Sequence, residues 1–348
     1  MGTGGKKRKR RGRKTSYAAE LLELIAMRHV PQALHVAAVL GIADLIAKRA
    51  KSSAELAQDT GTHAATLHRT LRTLVAAGVL SRDEKDRFRL TALGQPLRSA
   101  VGDSVRAASI FLSGESELEG QLLDCVRTGK TAIELTSGAT NWIEYYQRDP
   151  AKAAVFNSAM TALSNAHYAG VVESYDFRSV RNLVDVGGGH GRLLSMILIA
   201  YPKMHGVLFE LSHAVEGALQ TLSAAGLTNR CEIVSGDFFR SVPAGGDTYM
   251  LSRVIHDWAD DKAVAILKVV RGVLPAAGRL LLFETMIRSD KRLSYPLLSD
   301  VNMIIRTGGC ERTEAEYRAL YKSAGLRLTR AIQTPSPTGM TIIEGKPA

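Results

Sequence analysis

From residue 16 to about residue 99, apolar side chains recur at three- and four-residue intervals, as in SYAAELLELIAMRHV and ALHVAAVLGIADLIAK, and this spacing predicts a run of helices. In SSAELAQDTGTHAATLHRTLRTLVAAGVL, Ser52 or Ser53 can cap one helix, Gly61 ends it, and a second helix runs from about 64 to 77. The stretch GVLSRDEKDRFRLTALG predicts two short strands, 79–81 and 87–90, around a charged turn. Two helices followed by such a hairpin make a winged helix. Residues 100–180 stay helical and carry Trp142, Tyr145, Tyr146, Phe156 and Met160.

The period changes at Asn182. Short apolar runs (NLVDV, HGVLFE, CEIVSGD, DTYMLS, GRLLLFE) alternate with helical segments after Gly191, at 214–225 and at 260–274. That alternation predicts βαβ units and a parallel sheet covered on both faces. A helix at 313–324 and two closing strands, LRLTRAI and MTIIEG, complete the chain. The expected organisation is a tail (1–15), a winged-helix domain (16–100), a helical segment (101–180) and an α/β domain (181–348).

Composition narrows the function. The 348 residues are 45% hydrophobic and 23% charged, ordinary for globular domains, and the length suits two of them. Uninterrupted apolar stretches such as 196–200 are far shorter than the ~20 residues of a membrane span. The N-terminus has no apolar signal core, and Cys125, Cys231 and Cys310 lack disulfide or metal-ligand spacing, so a reducing cytoplasm is expected. The net charge of +11 suggests nucleic acid, but eight of those charges lie in KKRKRRGRK at 6–14, leaving +3 for the remainder. A tail that polar is expected to be disordered. It either binds a polyanion or is an extension without a role.

Chemistry concentrates in the α/β half. LVDVGGGHGRLLSMIL places glycines 187, 188, 189 and 191 between a strand and a helix, where a tight turn and free helix N–H groups suit a nucleotide. The spacing does not fit GxGxxG, and no phosphate-loop Lys-Ser/Thr follows. Glu210 ends the next strand, where an acid can hold both ribose hydroxyls; a solvated strand end explains a lone Glu equally well. Asp237 and Phe238 follow the third strand, an acceptor for an exocyclic amine beside an apolar face. Together they indicate adenosine without phosphates.

With DVGGGHG, FELSHAV, GDFF, SRVIHDWADD, FE at 283–284 and GGCERTEAEY in order, residues 17–345 resemble the S-adenosylmethionine-dependent small-molecule O-methyltransferases of the two-domain caffeate and hydroxyneurosporene type. The resemblance implies a Rossmann-like catalytic domain, a winged-helix domain used for homodimerisation and no metal. It places Gly187, Glu210, Asp237, Phe238, Ser252 and Arg253 at the cofactor; plant relatives usually have Lys at the position of Ser252. It makes His256 the general base, with Glu284 and Glu311 as flanking carboxylates. Trp142, Phe156, Asn157, Met160, Asp257, Asn302 and Met303 fall at acceptor positions. Aromatic and Met side chains suit a flat aromatic acceptor, though the same residues serve as helix core.

The residue types fit the chemistry. A phenol is a poor nucleophile at neutral pH, and an imidazole can take its proton as it attacks an electrophilic methyl group. Capping and helix-dipole stabilisation explain Asp260 and Asp261 without a metal, and Asp260 is the expected N-cap. Glu311 has alternative uses, capping or pairing with Arg312. Two other readings stay open. Relatives that turn the cofactor scaffold to hydroxylation or decarboxylation tend to lose the histidine, which is present here. A winged-helix regulator would use His68, Arg69, Arg72 and Thr73 on the second helix to meet DNA.

Overall fold

A computed structural model describes residues 16–289 and 291–348, with the backbone alone described at His213. The basic tail expected at 1–15 lies outside the described residues. The chain divides into two compact units between Gly114 and Glu115.

In the first unit, helices Tyr17–Ala26, His29–Val39, Ile42–Leu45, Ser53–Thr60 and Ala64–Ala76 precede β1 (Leu80–Arg82) and β2 (Phe88–Leu90), which pair antiparallel. Ser52 is the cap of the fourth helix, exchanging bonds with Glu55 in a capping box, and Gly61 ends it with φ +65°. Leu56, Leu67, Leu71, Leu74 and Phe88 form the buried seam, the apolar positions of the helical period closed by the hairpin. This is the expected winged helix. The compact unit runs on past residue 100 to Gly114. The helix Arg106–Gly114 belongs to this unit because Gln32 Nε2 donates to the Ser113 carbonyl at 2.8 Å and Arg106 Nε to that of Ala38 at 2.7 Å. Tyr17, Leu21, Leu22, Leu24, Ile25 and Met27 on and just after the first helix are exposed.

The second unit is built on a seven-stranded sheet of order β5-β4-β3-β6-β7-β9-β8. Its strands are β3 (Asn182–Val186), β4 (His205–Glu210), β5 (Cys231–Ser235), β6 (Thr248–Ser252), β7 (Arg279–Thr285), β8 (Leu326–Gln333) and β9 (Met340–Pro347). The first five run parallel, and β9 is antiparallel to both neighbours. Side chains alternate across the sheet. Leu280 and Leu282 of β7 pack with Ile266, Val270 and Tyr317, whereas Leu281 and Phe283 pack with Leu194, Ile197 and Phe177. Both faces are therefore covered, as the apolar runs predict. The order reverses at β3, which lies between β4 and β6, and the crevice beyond the carboxyl ends of strands at such a point is where open α/β sheets bind ligands.

Candidate active site

The turn after β3 is shaped by its glycines. Gly187 has φ +70°, and a Cβ there would stand 3.0 Å from Val254 Cγ2 and 3.3 Å from the Phe238 ring. At Gly188 a Cβ would fall 2.3 Å from Asp185 Oδ2 and 2.4 Å from Leu208. Only glycine lets the backbone pass so close. Glu210, at the end of β4, accepts from Gly189 N at 2.8 Å through Oε2 and from Leu211 N at 2.7 Å through Oε1. Asp237, just past β5, accepts from Phe239 N at 2.9 Å. The Phe238 ring lies over Gly187, beside Phe239 and Trp258. Gly187, Glu210, Asp237 and Phe238 thus meet at one edge of the sheet.

Asp185, an acid inside the apolar strand NLVDV that the sequence analysis did not single out, lies against the glycine turn. It is buried, Oδ1 has no hydrogen-bond partner among the described residues, and burial together with Glu210 pushes its carboxyl up to about 8. Two acids at a glycine turn, one of them unpaired, suit a ligand that carries positive charge and ribose hydroxyls. The amino acid end and sulfonium of S-adenosylmethionine have that character, so the residues present fit the cofactor.

Ser252 and Arg253 sit differently from expectation. The Ser252 hydroxyl, buried at the end of β6, donates to Tyr168 Oη at 2.8 Å, so its proton is committed within the protein. Arg253 has φ +55°, and its Nη1 donates to Thr285 Oγ1 at 2.6 Å and to Glu311 at 2.9 Å, with Glu284 at 3.8 Å. Buried carboxylates draw that nitrogen in, making Arg253 part of the histidine cluster.

His256 occupies a short 3-10 turn, Ile255–Asp257, after β6. Nε2 stands 3.1 Å from the Arg253 carbonyl and 3.6 Å from Asp257 Oδ1, and Nδ1 faces Glu311 Oε1 at 3.5 Å, too far for a formed hydrogen bond. All three neighbours only accept. Burial and Arg253 push the imidazole down, but Asp257, Glu311 and Glu284 outweigh them and hold it above its ordinary value. Burial would raise Glu311, yet Arg253 and His256 hold it well below the usual carboxylate range. Glu284 Oε1 accepts from Val254 N at 3.2 Å and Ile255 N at 2.9 Å, pinning the turn that carries the histidine. The nearest ligand atoms of His256, Glu284 and Glu311 lie within 4.8 Å of one another, spacing that would suit a cation. The Arg253 guanidinium already supplies positive charge there.

Glu311 does not pair with Arg312. Arg312 is buried and donates to Asp260, Ile255 O, Trp258 O and Cys310 O, tying the histidine turn to the helix Asp260–Val273. Asp260 is therefore not the N-cap. That position is Ala259, and Asp260 is the first helical residue.

The acceptor candidates fall in two groups. Trp142 opens the helix Trp142–Gln147, its ring 5.6 Å from that of Phe156, which stacks on Tyr146 at 4.5 Å. Asn302 and Met303 lie on the helix Tyr295–Arg306, whose Ser299 donates to Glu311 Oε1 at 2.7 Å. Glu115 joins the groups, accepting from Tyr146 Oη and pairing with Arg306, which donates to Asn302 Oδ1. Met160 is half-buried beside them in sequence on the helix Pro150–His167, whereas Asn157 is exposed. Asp257, expected at the acceptor, is half-buried beside His256. No local pattern marks Ser299 or Thr285, which the fold brings to the cluster.

An α/β sheet with an adenosine-type edge and a buried histidine–carboxylate cluster defines a methyltransferase architecture. The O-methyltransferase domain pattern matches residues 120–327, and the O-methyltransferase dimerisation domain pattern matches 22–99. The chain belongs to the two-domain S-adenosylmethionine-dependent O-methyltransferases. It is 38% identical over 329 residues to phenazine O-methyltransferase PhzM of Lysobacter antibioticus, covering 94% of this chain and 95% of that one. The crystal structure of LaPhzM superposes with TM-score 0.88 at 37% identity, over 96% of this chain and 100% of the other. The O-methyltransferase NcsB1 from neocarzinostatin biosynthesis, solved with S-adenosylmethionine and 2-hydroxy-5-methyl naphthoic acid, gives TM-score 0.79 at 33% identity, over 94% and 98% of the two chains. Aclacinomycin 10-hydroxylase RdmB of Streptomyces purpurascens is 33% identical over 335 residues, 91% of this chain and 87% of that one. The enzyme is an S-adenosylmethionine-dependent O-methyltransferase of secondary metabolism. Among the described residues, no helix is long and apolar enough to cross a membrane.

Proposed function

We propose that the enzyme methylates a phenolic hydroxyl on a small aromatic acceptor, with His256 as general base. The observation that carries this reading is the burial of His256 against Glu311 and Asp257 beside the cofactor edge. The cofactor, when bound, supplies an electrophilic methyl group. Gly187, Glu210, Asp237 and Phe238 hold its adenosine, and Asp185 faces its charge. Glu311 favours a proton on Nδ1, and Nε2, which faces the Arg253 carbonyl in the free protein, is the nitrogen that takes the phenolic hydrogen once the ring turns from that carbonyl to the acceptor. Glu284 and Arg312 keep the turn in place, and Arg253 keeps Glu311 ionised. Trp142, Phe156, Met160, Asn302 and Met303 line the acceptor site, and much of the rate comes from holding oxygen, methyl carbon and sulfur in line.

The uncovered apolar face of the helix Tyr17–Ala26, which runs into the segment matching a dimerisation domain, supports a homodimer. Likeness to a hydroxylase keeps altered chemistry as a second reading, and the intact histidine cluster favours methyl transfer. The test is calorimetric titration with S-adenosylmethionine and S-adenosylhomocysteine, then a labelled-methyl screen of phenols with His256→Ala as control. Binding of both nucleosides and transfer abolished in the variant support the reading. Hydroxylated product, or full transfer by the variant, overturns it.

A further inference from the structure

His167, a buried histidine outside the catalytic cluster, ends the helix Pro150–His167 whose earlier turns carry Phe156 and Met160. Its Nδ1 is 2.9 Å from Thr338 Oγ1, which is 2.8 Å from Ser336 Oγ, and Ser336 Oγ donates to the Ala166 carbonyl at 2.8 Å. A carbonyl only accepts, so the Ser336 proton is committed there. Ser336 Oγ then accepts from Thr338, and Thr338 Oγ1 accepts from Nδ1–H. Three protons serve three contacts in this direction alone. The reverse direction leaves Ser336 Oγ facing the carbonyl with no proton between them. The ring is thereby held with hydrogen on Nδ1 and a lone pair on Nε2. No described residue hydrogen-bonds to Nε2.

The surroundings locate that lone pair. The ring stands edge-on to Tyr295, 5.8 Å between centroids, at the start of the helix that carries Ser299, Asn302 and Met303. The next residue, Tyr168, accepts from Ser252 at the end of β6. Burial, Arg253 and His256 keep the imidazole well below its ordinary range against a smaller opposing effect of Glu311, so it is neutral at pH 7. A neutral ring with one nitrogen bonded and one bare, between the two helices of the acceptor candidates, is built to receive a hydrogen bond.

We propose that His167 Nε2 recognises the methyl acceptor, accepting a hydrogen bond from a second donor on it, a hydroxyl or amine N–H distinct from the hydroxyl that is methylated. This rests on the aromatic-acceptor reading above. It makes the enzyme selective for dihydroxy- or amino-hydroxyarenes over their mono-hydroxy counterparts, by about tenfold for one such bond.

The full-length protein labelled with 15N at histidine tests this by NMR. In the free protein at neutral pH, Nδ1 should be protonated and Nε2 bare; a proton on Nε2 overturns the inference. With S-adenosylhomocysteine bound, the Nε2 resonance should respond to 3-amino-4-hydroxybenzoate and 2,7-dihydroxynaphthalene more than to 4-hydroxybenzoate and 2-naphthol. No response to the double-donor compounds overturns it. His167→Asn keeps an amide near Nδ1 for Thr338 but offers nothing at Nε2, whereas His167→Gln restores a polar atom there. Asn should raise KM about tenfold for the double-donor member of a pair and leave the other member unchanged, with partial recovery in Gln. Equal changes for both members, or weakened S-adenosylhomocysteine binding, overturn the assignment. Methylation of 2-naphthol without an Nε2 response to its dihydroxy partner sinks this inference and leaves the aromatic-acceptor reading intact. An Nε2 response without methyl transfer to any of the four does the reverse.

Discussion

Replacing Glu311 by glutamine removes the negative charge nearest His256 Nδ1 while keeping the side chain's shape. Opposite unit charges 3.5 Å apart attract by roughly 5 kcal/mol at an effective dielectric of about 20. Arg253, 2.9 Å from the same carboxylate, absorbs part of that field, and Asp257 and Glu284 remain to hold the imidazole up. A shift of about 1–2 pH units, equal to roughly 1.4–3 kcal/mol, is what remains. The sign follows from the chemistry. A base works when deprotonated, so kcat/KM of the native enzyme should rise with pH through an acid limb above the ordinary imidazole range, because Asp257, Glu311 and Glu284 hold His256 up. In Glu311→Gln that limb should move to lower pH. Its plateau should fall as well, because the imidazolium formed during transfer has lost its partner. The assay is labelled-methyl transfer from pH 5 to 9, with single-turnover rates to confirm that chemistry is being read. Glu284→Gln should shift the limb in the same direction. An acid limb that stays in place or moves upward in both variants refutes the assignment of His256 as base.

His256→Ala should cut turnover by about two orders of magnitude or more and leave S-adenosylhomocysteine affinity nearly unchanged, measured by calorimetry. Glu210→Ala should weaken cofactor binding by ~1–3 kcal/mol; unchanged affinity would remove its ribose role. Arg312→Met leaves the Trp258 and Cys310 carbonyls without their donor and the Ile255 carbonyl with only its bond from Trp258 N, and should cost about 3 kcal/mol or more, read as a lowered denaturant midpoint. Asp185 binds a proton in the folded protein up to about pH 8 but loses it near 3.8 when unfolded, so this group makes stability fall as pH rises between those values. Asp185→Asn should therefore gain thermal stability relative to the native protein progressively from pH 4 to 8, and a difference flat in pH would contradict the raised carboxyl. Deleting residues 1–15 should leave folding and methyl transfer intact, checked by thermal melting and turnover of the truncated chain.

Much of this protein is set by local spacing. Three- and four-residue apolar periods, the Ser52 cap and Gly61 specify the winged helix, and short apolar runs alternating with helices specify a parallel sheet. DVGGGHG, Glu210, Asp237 and Phe238 mark the proposed cofactor edge because each stands at or just past a strand end. What lies across the fold was not legible. Arg253 belongs beside Glu311 through a positive φ and the pull of buried carboxylates, and both depend on which strands become neighbours. Arg312 takes Asp260 and leaves Glu311 to Arg253, Ser299 and His256 because the turn after β6 and the loop before the last helix meet only in the folded protein. The helix Arg106–Gly114 joins the first unit through side-chain bonds to a helix some 70 residues earlier. Period and capping act over a few residues, so one dimension records them. Ion pairing and hydrogen-bond direction act through space, and the hydrogen bonds that bear on the His167 ring come from Thr338 and Ser336, near the far end of the chain.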